Sequence, residues 1–233
     1  SSHVGTSLLS SSVRPCLRTA RALRSKMEGG IGPPGGGPAV EVASEDTPSG
    51  GVASAYRGRI VLVTGVSGFL GKVLLERLLW EFPDLKELRL LLRFGSHATP
   101  QLRFREEVLS SPIFSRLEGR HGGRAAFQAQ LLTKARIFGG DLAHDGLGLD
   151  GDAYAALASG LDLILHSAAL VSWDERLDSS LRSNTLGARR MLELAKHAGG
   201  ARMMHVSSAF VHGQRRGHCP ESIRLCRAQA QAP

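Results

Sequence analysis

Cysteine is scarce in this 233-residue chain: Cys16, Cys219 and Cys226 are the only three, and all lie near irregular ends. They form no disulfide framework and no zinc spacing, so the expected setting is reducing and intracellular, either cytoplasm or an organelle. No apolar run approaches the ~20 residues a membrane helix needs. The longest candidate, Leu161 to Val171, is interrupted by Asp162 and His166. Tyrosine occurs only as Tyr56 and Tyr154, and no internal repeat is visible. The formal net charge of +8 is concentrated in the tails, at Arg14, Arg18, Arg21, Arg24 and Lys26 and again at Arg215, Arg216, Arg224 and Arg227. No basic stripe is interleaved with aromatics, so nucleic acid is not an expected partner. His205, His212, His218 and Cys219 have no recognised ligand spacing, and no metal site is expected.

The first 26 residues hold no Asp or Glu and are rich in Ser and Arg. Two readings stand: an organellar transit peptide, or residues upstream of a true start at Met27. From Glu28 to about Ala55 the chain is Gly/Pro-rich and then small and polar. Too little can be buried there to offset chain entropy, so residues 1–56 are expected to be a disordered linker or targeting segment. Residues 57–213 alternate strand and helix patterns. Apolar runs at 59–63, 87–93, 135–138, 161–166 and 202–207 read as strands. Helical patterns cover 72–79, 101–109 and the long stretch from Leu177 to about His197, with a short helix at Pro112–Phe114. Strands separated by helices imply an α/β fold, a Rossmann-type doubly wound parallel sheet with right-handed crossovers. The pattern stops after Gly213, so the sheet is expected to be truncated after its fifth strand, with 214–233 an irregular tail.

What is present is a glycine turn between the first strand and its helix. Thr64-Gly65-Val66-Ser67-Gly68-Phe69-Leu70-Gly71 follows the run Arg59–Val63 and opens the helical pattern from Lys72. The spacing departs from G-x-G-x-x-G, the three glycines being three apart. A strand turning through glycines into a helix nonetheless offers unpaired N–H groups and close backbone approach to a pyrophosphate. Ligands of open α/β sheets bind beyond the carboxyl ends of the strands. Those ends are the glycine loop, Arg93, Asp141-Leu142, Ser167-Ala168-Ala169 and Ser207-Ser208. A free ribose 2′-OH calls for an acidic residue at the second strand's end; here stands Arg93, a fixed cation suited to a 2′-phosphate, which favours NADPH over NADH. Asp141 accepts from an adenine amino group or caps the next turn. Ala168 and Ala169 admit the cofactor's centre or simply pack tightly. His166 reads as a satisfied strand-end histidine.

These segments together resemble the fatty acyl-CoA reductases, within the extended short-chain dehydrogenase/reductases. The resemblance runs from about Ile60 to Glu221 and rests on residues 63–76, Leu-Leu-Leu-Arg (90–93), Ser-Ser-Pro-Ile-Phe-Ser-Arg-Leu (110–117), Gly-Asp-Leu (140–142), Leu-Gly-Leu (147–149), His-Ser-Ala-Ala-Leu-Val-Ser-Trp-Asp-Glu (166–175), 184–195 and 205–213. It implies NADPH-dependent reduction of a long-chain fatty acyl-CoA to an aldehyde and then a primary alcohol, this chain being the cofactor-binding part. It further implies that Thr64, Gly65, Ser67, Gly68, Phe69, Leu70 and Gly71 hold the pyrophosphate and Arg93 the 2′-phosphate. Asp141 and Leu142 would take the adenine, and Ser167, Ala168 and Ala169 the cofactor's middle. Asn184 would order the site from the long helix, and Ser208 would donate to the substrate carbonyl oxygen. The family's general acid is a Tyr followed by Lys at Y-x-x-x-K spacing. Neither Tyr56 nor Tyr154 has that spacing, so the pair is expected after the end of this chain, together with the acyl-binding portion. A thioester reductase domain acting on a carrier-protein-bound acyl group, a reductase or epimerase of nucleotide sugars or sterols, and a non-catalytic NADP-binding protein are the competing readings.

Overall fold

The apolar run Ile60-Val-Leu-Val-Thr64 is buried at every position, as a strand covered on both faces must be. In the computed structural model, which describes residues 51–208 together with Val211, Gly213, Gly217 and His218, this run is the central strand of a sheet. A short helix, α1 (Gly51–Tyr56), precedes it. The chain continues through β1 (Ile60–Thr64), α2 (Phe69–Glu81), β2 (Glu87–Leu92), α3 (Pro100–Arg103), α4 (Ser115–Arg120) and α5 (Arg124–Lys134). It then runs through β3 (Ala135–Gly139), α6 (Gly151–Ala158), β4 (Leu163–His166), α7 (Leu177–Ser180), α8 (Gly187–His197) and β5 (Arg202–His205). All pairings are parallel, and the strand order is β3-β2-β1-β4-β5. The direction of winding reverses between β1 and β4, so the crevice beyond their carboxyl ends is where such a sheet takes a ligand.

Alternate residues of each strand point to opposite faces. Val61, Val63, Leu88 and Leu90 join Leu75, Phe104, Phe114 and Leu117 in one apolar layer. Leu62, Leu91 and Ile164 join Leu147, Leu157, Met191 and Leu194 in the other. Full burial of such side chains contributes about 1.5–3 kcal/mol each. The Ser-Pro-Ile-Phe stretch is part of this packing: Phe114 is fully buried and its ring lies 5.7 Å from that of Phe127. Arg89 is buried in β2, where its Nε donates to Glu87 and its Nη1 to the Leu157 carbonyl at the end of α6. That satisfies a carbonyl that helix geometry leaves without an internal partner.

The expected linker through residue 56 needs correction at its end. Residues 1–50 lie outside the described residues, but Gly51–Tyr56 is helical and the Tyr56 ring stacks on Phe82 at 4.2 Å. Helices α5 and α6 had no clear periodic signature. Each buries only two residues, Phe127 and Leu131 in one and Leu157 and Ala158 in the other. In α6 the Asp150 carboxylate caps the first turn by accepting the Ala153 N–H at 2.7 Å. The expected helix at 101–109 is α3 followed by a wide turn, Phe104–Val108, closed by the Leu109 N–H on the Phe104 carbonyl. The long helix is likewise α7 and α8 joined through a wide turn at Leu181–Leu186. That turn rotates the buried face onto Ser183, Gly187, Arg190, Met191, Leu194 and Ala195. Leu181 and Leu192, two apolar positions of this stretch, are about half exposed. Strand β4 begins at Leu163, and the preceding Asp162 carboxylate accepts the Ile60 N–H and the Arg59 guanidinium. Among the described residues no helix is long and apolar enough to cross a membrane.

Candidate functional site

Strand β1 ends at Thr64 and the chain turns at once through Gly65, whose φ is +80°. A β-carbon on Gly65 would lie 2.7 Å from the Ala168 nitrogen, and one on Gly71 would lie 2.0 Å from the Gly65 carbonyl oxygen. These two glycines are required by the protein's own packing: one seats the loop after β4 against the turn, the other seats α2 on it. Gly68 differs. Its φ is −78°, and a β-carbon there would meet only the Gly65 oxygen, at 3.3 Å. Its missing side chain leaves room at the N-terminus of α2, where N–H groups and the helix dipole suit a phosphate.

A cleft of about 480 Å³ spreads from this turn across the carboxyl ends of the strands. Thr64, Gly65, Ser67 and Gly68 line it, as do Phe69, Leu70 and Gly71 from the first turn of α2. Arg93 after β2, Asp141 and Leu142 after β3, and Ser167, Ala168 and Ala169 after β4 line it as well. Beside it, Arg93, Phe94, Arg103, Asp141 and His144 surround a further hollow of about 510 Å³. Asn184 is not on the cleft wall; its neighbour Ser183 is. The Asn184 carboxamide instead accepts the Leu170 N–H at 2.8 Å and donates to the Leu170 carbonyl at 2.9 Å, fixing the loop that carries Ala168 and Ala169. Ser207 reaches the cleft, whereas Ser208 is exposed just past β5 and its carbonyl accepts the Val211 N–H.

Asp141 is partly committed: its Oδ1 accepts the Ala143 N–H at 2.9 Å, the turn-capping alternative. Arg103 was missed by sequence reading. It lines the cleft with its Nε on Glu107, its Nη1 on the Arg93 carbonyl at 3.0 Å and its Nη2 3.4 Å from the Ser67 hydroxyl. The only sequence signal was its place one helical turn before Glu107, and i,i+4 pairs are ordinarily surface features.

The strand-end histidine is only half satisfied, which corrects the expectation for it. His166 is buried, with Nδ1 2.7 Å from the Thr64 hydroxyl, and that hydroxyl also accepts the Ala168 N–H at 3.2 Å. Nε2 is buried without a hydrogen-bond partner among the described residues. Burial first, then the His205 ring stacked 4.9 Å away, pulls the His166 pKa down to about 4, so the ring is neutral near pH 7. Neither tyrosine lines the cleft. Burial raises the pKa of both phenols, Glu193 adding to the effect at Tyr154. Among the described residues no group of three or more His, Cys, Asp or Glu is placed to hold a metal ion; His212 and Cys219 lie outside them.

Residues 63–231 match the family model described as male sterility protein. The chain belongs to the male sterility protein family. It is similar to fatty acyl-CoA reductase 2, chloroplastic, of Arabidopsis thaliana, at 34% identity over 172 residues, 73% of this chain and 28% of that protein. It is similar also to the alcohol-forming fatty acyl-CoA reductase of Simmondsia chinensis, at 32% identity over 72% of this chain and 34% of that protein. This chain of the family therefore spans about a third of the length of these relatives, or less. Among solved structures it resembles the terminal R domain of the myxalamid biosynthetic pathway, with a TM-score of 0.54 and 27% identity over 66% of this chain and 36% of that one.

Proposed function

We propose that this chain is the NADPH-binding part of a reductase of long-chain fatty acyl-CoA, acting toward the aldehyde and primary alcohol. The curated relatives named fatty acyl-CoA reductases support the reaction and substrate class. The observation that carries the cofactor assignment is the cleft beyond β1 and β4, with its opening at Gly68 and two guanidinium groups, Arg93 after β2 and Arg103 at the end of α3.

The residues fit a nicotinamide dinucleotide, which supplies hydride to the acyl carbonyl. The turn at Gly65–Gly71 presents N–H groups to the pyrophosphate. Arg93 bonds the 2′-phosphate, and Arg103, held by Glu107 and the Arg93 carbonyl, adds a second positive charge beside it. Asp141 and Leu142 border the adenine, and the small side chains of Ala168 and Ala169 leave space for the central ribose. Ser208 is the proposed donor to the carbonyl oxygen as negative charge develops there. A second reading, reduction of an acyl group carried as a thioester on a carrier protein, is favoured by the likeness to the myxalamid R domain.

Titrating NADPH and NADH into the 233-residue chain tests the cofactor assignment, with at least tenfold tighter NADPH binding expected. Equal affinities would remove the 2′-phosphate role. For the substrate, a version extended to the length of the relatives should consume NADPH with long-chain acyl-CoA; activity confined to acyl carrier protein would establish the second reading.

A further inference from the structure

The long helix touches both ends of the cleft through side chains that do not line it. At one end Asn184 holds the backbone of Leu170 by two hydrogen bonds. At the other, Arg190 is buried in α8 and its Nη1 donates to the Leu142 carbonyl at 2.8 Å and to the Arg182 carbonyl at 3.2 Å. Its Nε and Nη2 donate to Asp145 Oδ1 at 3.0 and 2.7 Å. Gly187 completes the contact, since a β-carbon there would lie 3.0 Å from the Leu142 β-carbon.

A buried guanidinium is costly unless its donors are used, and an apolar residue would pack beside Met191 and Leu194 without that cost. The Asp145 side chain is 93% exposed, so this is not a buried ion pair whose strength would explain the arginine. What Arg190 does with its buried donors is fix a backbone: the Leu142 carbonyl, in the loop that borders the cleft after β3, is tied to the Arg182 carbonyl in the wide turn of the helix. Two residues before that turn ends stands Asn184. One rigid element thus sets the distance between the loop after β3 and the loop after β4.

We propose that Arg190 is a positioning residue for the adenine end of the dinucleotide site and Asn184 its counterpart for the loop after β4, which faces the cofactor from its middle toward the nicotinamide. This rests on the reading of the cleft as a dinucleotide site. Arg190 acts through Leu142, and its loss should weaken whatever part of the ligand sits against that loop.

The test titrates the full chain with NADPH and with 2′,5′-ADP, which carries the adenine and 2′-phosphate but no nicotinamide. Arg190→Met keeps the side chain's bulk and removes its donors. It should weaken both ligands by the same factor, about tenfold, the size of one lost hydrogen bond to a charged group. Arg190→Lys, able to reach one carbonyl, should recover part of that loss. Asn184→Ala should weaken NADPH and leave 2′,5′-ADP unchanged. If Arg190→Met loses its fold, Arg190→Lys alone still decides: 2′,5′-ADP affinity equal to that of the unsubstituted chain overturns the proposal. So does a result in which Asn184→Ala and the Arg190 variants weaken both ligands equally, which would mean general loosening. Failure of the unsubstituted chain to bind either ligand would instead overturn the dinucleotide reading, and this inference with it.

Discussion

A β-carbon on Gly71 would sit 2.0 Å from the Gly65 carbonyl oxygen, so α2 rests directly on the turn that ends β1. Gly65 is held in turn by the loop after β4, while a β-carbon on Gly68 between them would meet only the Gly65 carbonyl oxygen, at 3.3 Å. The three glycines therefore do different work, matching the division into tight turn, close ligand approach and close helix packing.

That division predicts a split between stability and binding. Gly71→Ala should lower unfolding free energy by about 1–3 kcal/mol, the usual cost of overpacking, or more. Gly65→Ala adds the cost of a side chain at positive φ, about 1–2 kcal/mol. Gly68→Ala should stay within about 1 kcal/mol of the unsubstituted chain while weakening NADPH. Urea denaturation and NADPH titration on the three variants separate these effects, and equal destabilisation at all three positions would contradict the assignment.

The cleft's two cations should contribute unequally. Arg93→Asp should weaken NADPH most, by bringing a carboxylate to the 2′-phosphate, and should leave NADH affinity similar or improved. Arg103→Leu should lower the preference for NADPH less, since three of its donors are engaged with protein acceptors. A larger loss of preference at Arg103 than at Arg93 would reverse their proposed roles.

Stability should fall in mild acid because of His166. Its folded pKa of about 4 lies below the ordinary value of 6.5, so between these pH values the unfolded chain binds a proton that the folded chain refuses. The contribution is fully present above pH 6.5 and is lost as pH falls toward 4, at about 1.4 kcal/mol per pH unit. His166→Gln should flatten that part of the pH dependence in denaturation curves. An unchanged slope in the variant would show that the buried imidazole does not titrate in this way.

Chemistry should be absent where binding is present. Both tyrosines lie away from the cleft with raised phenol pKa values, so neither is poised as the general acid. General acid–base assistance is worth roughly 10²–10⁴ in rate. The 233-residue chain should therefore oxidise NADPH with long-chain acyl-CoA far below about 1 s⁻¹. Turnover at or above that rate, followed by the absorbance of NADPH, would mean that another residue supplies the proton.

The sheet was legible because its strands are nearly continuous apolar runs, and parallel burial on both faces demands such runs. The cleft wall was legible because strand-end residues are adjacent in sequence to those runs, as Arg93 and Asp141 are to β2 and β3. Arg103 and Arg190 were not, since each acts across the fold: Arg103 on the glycine turn through Ser67, Arg190 on Leu142 from a helix 48 residues later. The wide turn at Leu181–Leu186 also hid the true buried face of the long helix, because no residue in it breaks a helical pattern. The half-satisfied His166 was invisible for the same reason as Arg103, its partner Thr64 being 102 residues away.

On this reading the opening at Gly68 seats the pyrophosphate of NADPH. Titration calorimetry of NADPH into the unsubstituted chain and into Gly68→Val tests it most directly, with circular dichroism confirming that both are folded. The predicted result is saturable one-to-one binding to the first and none to the second. Equal affinity for the two folded proteins would place the dinucleotide somewhere other than the glycine turn.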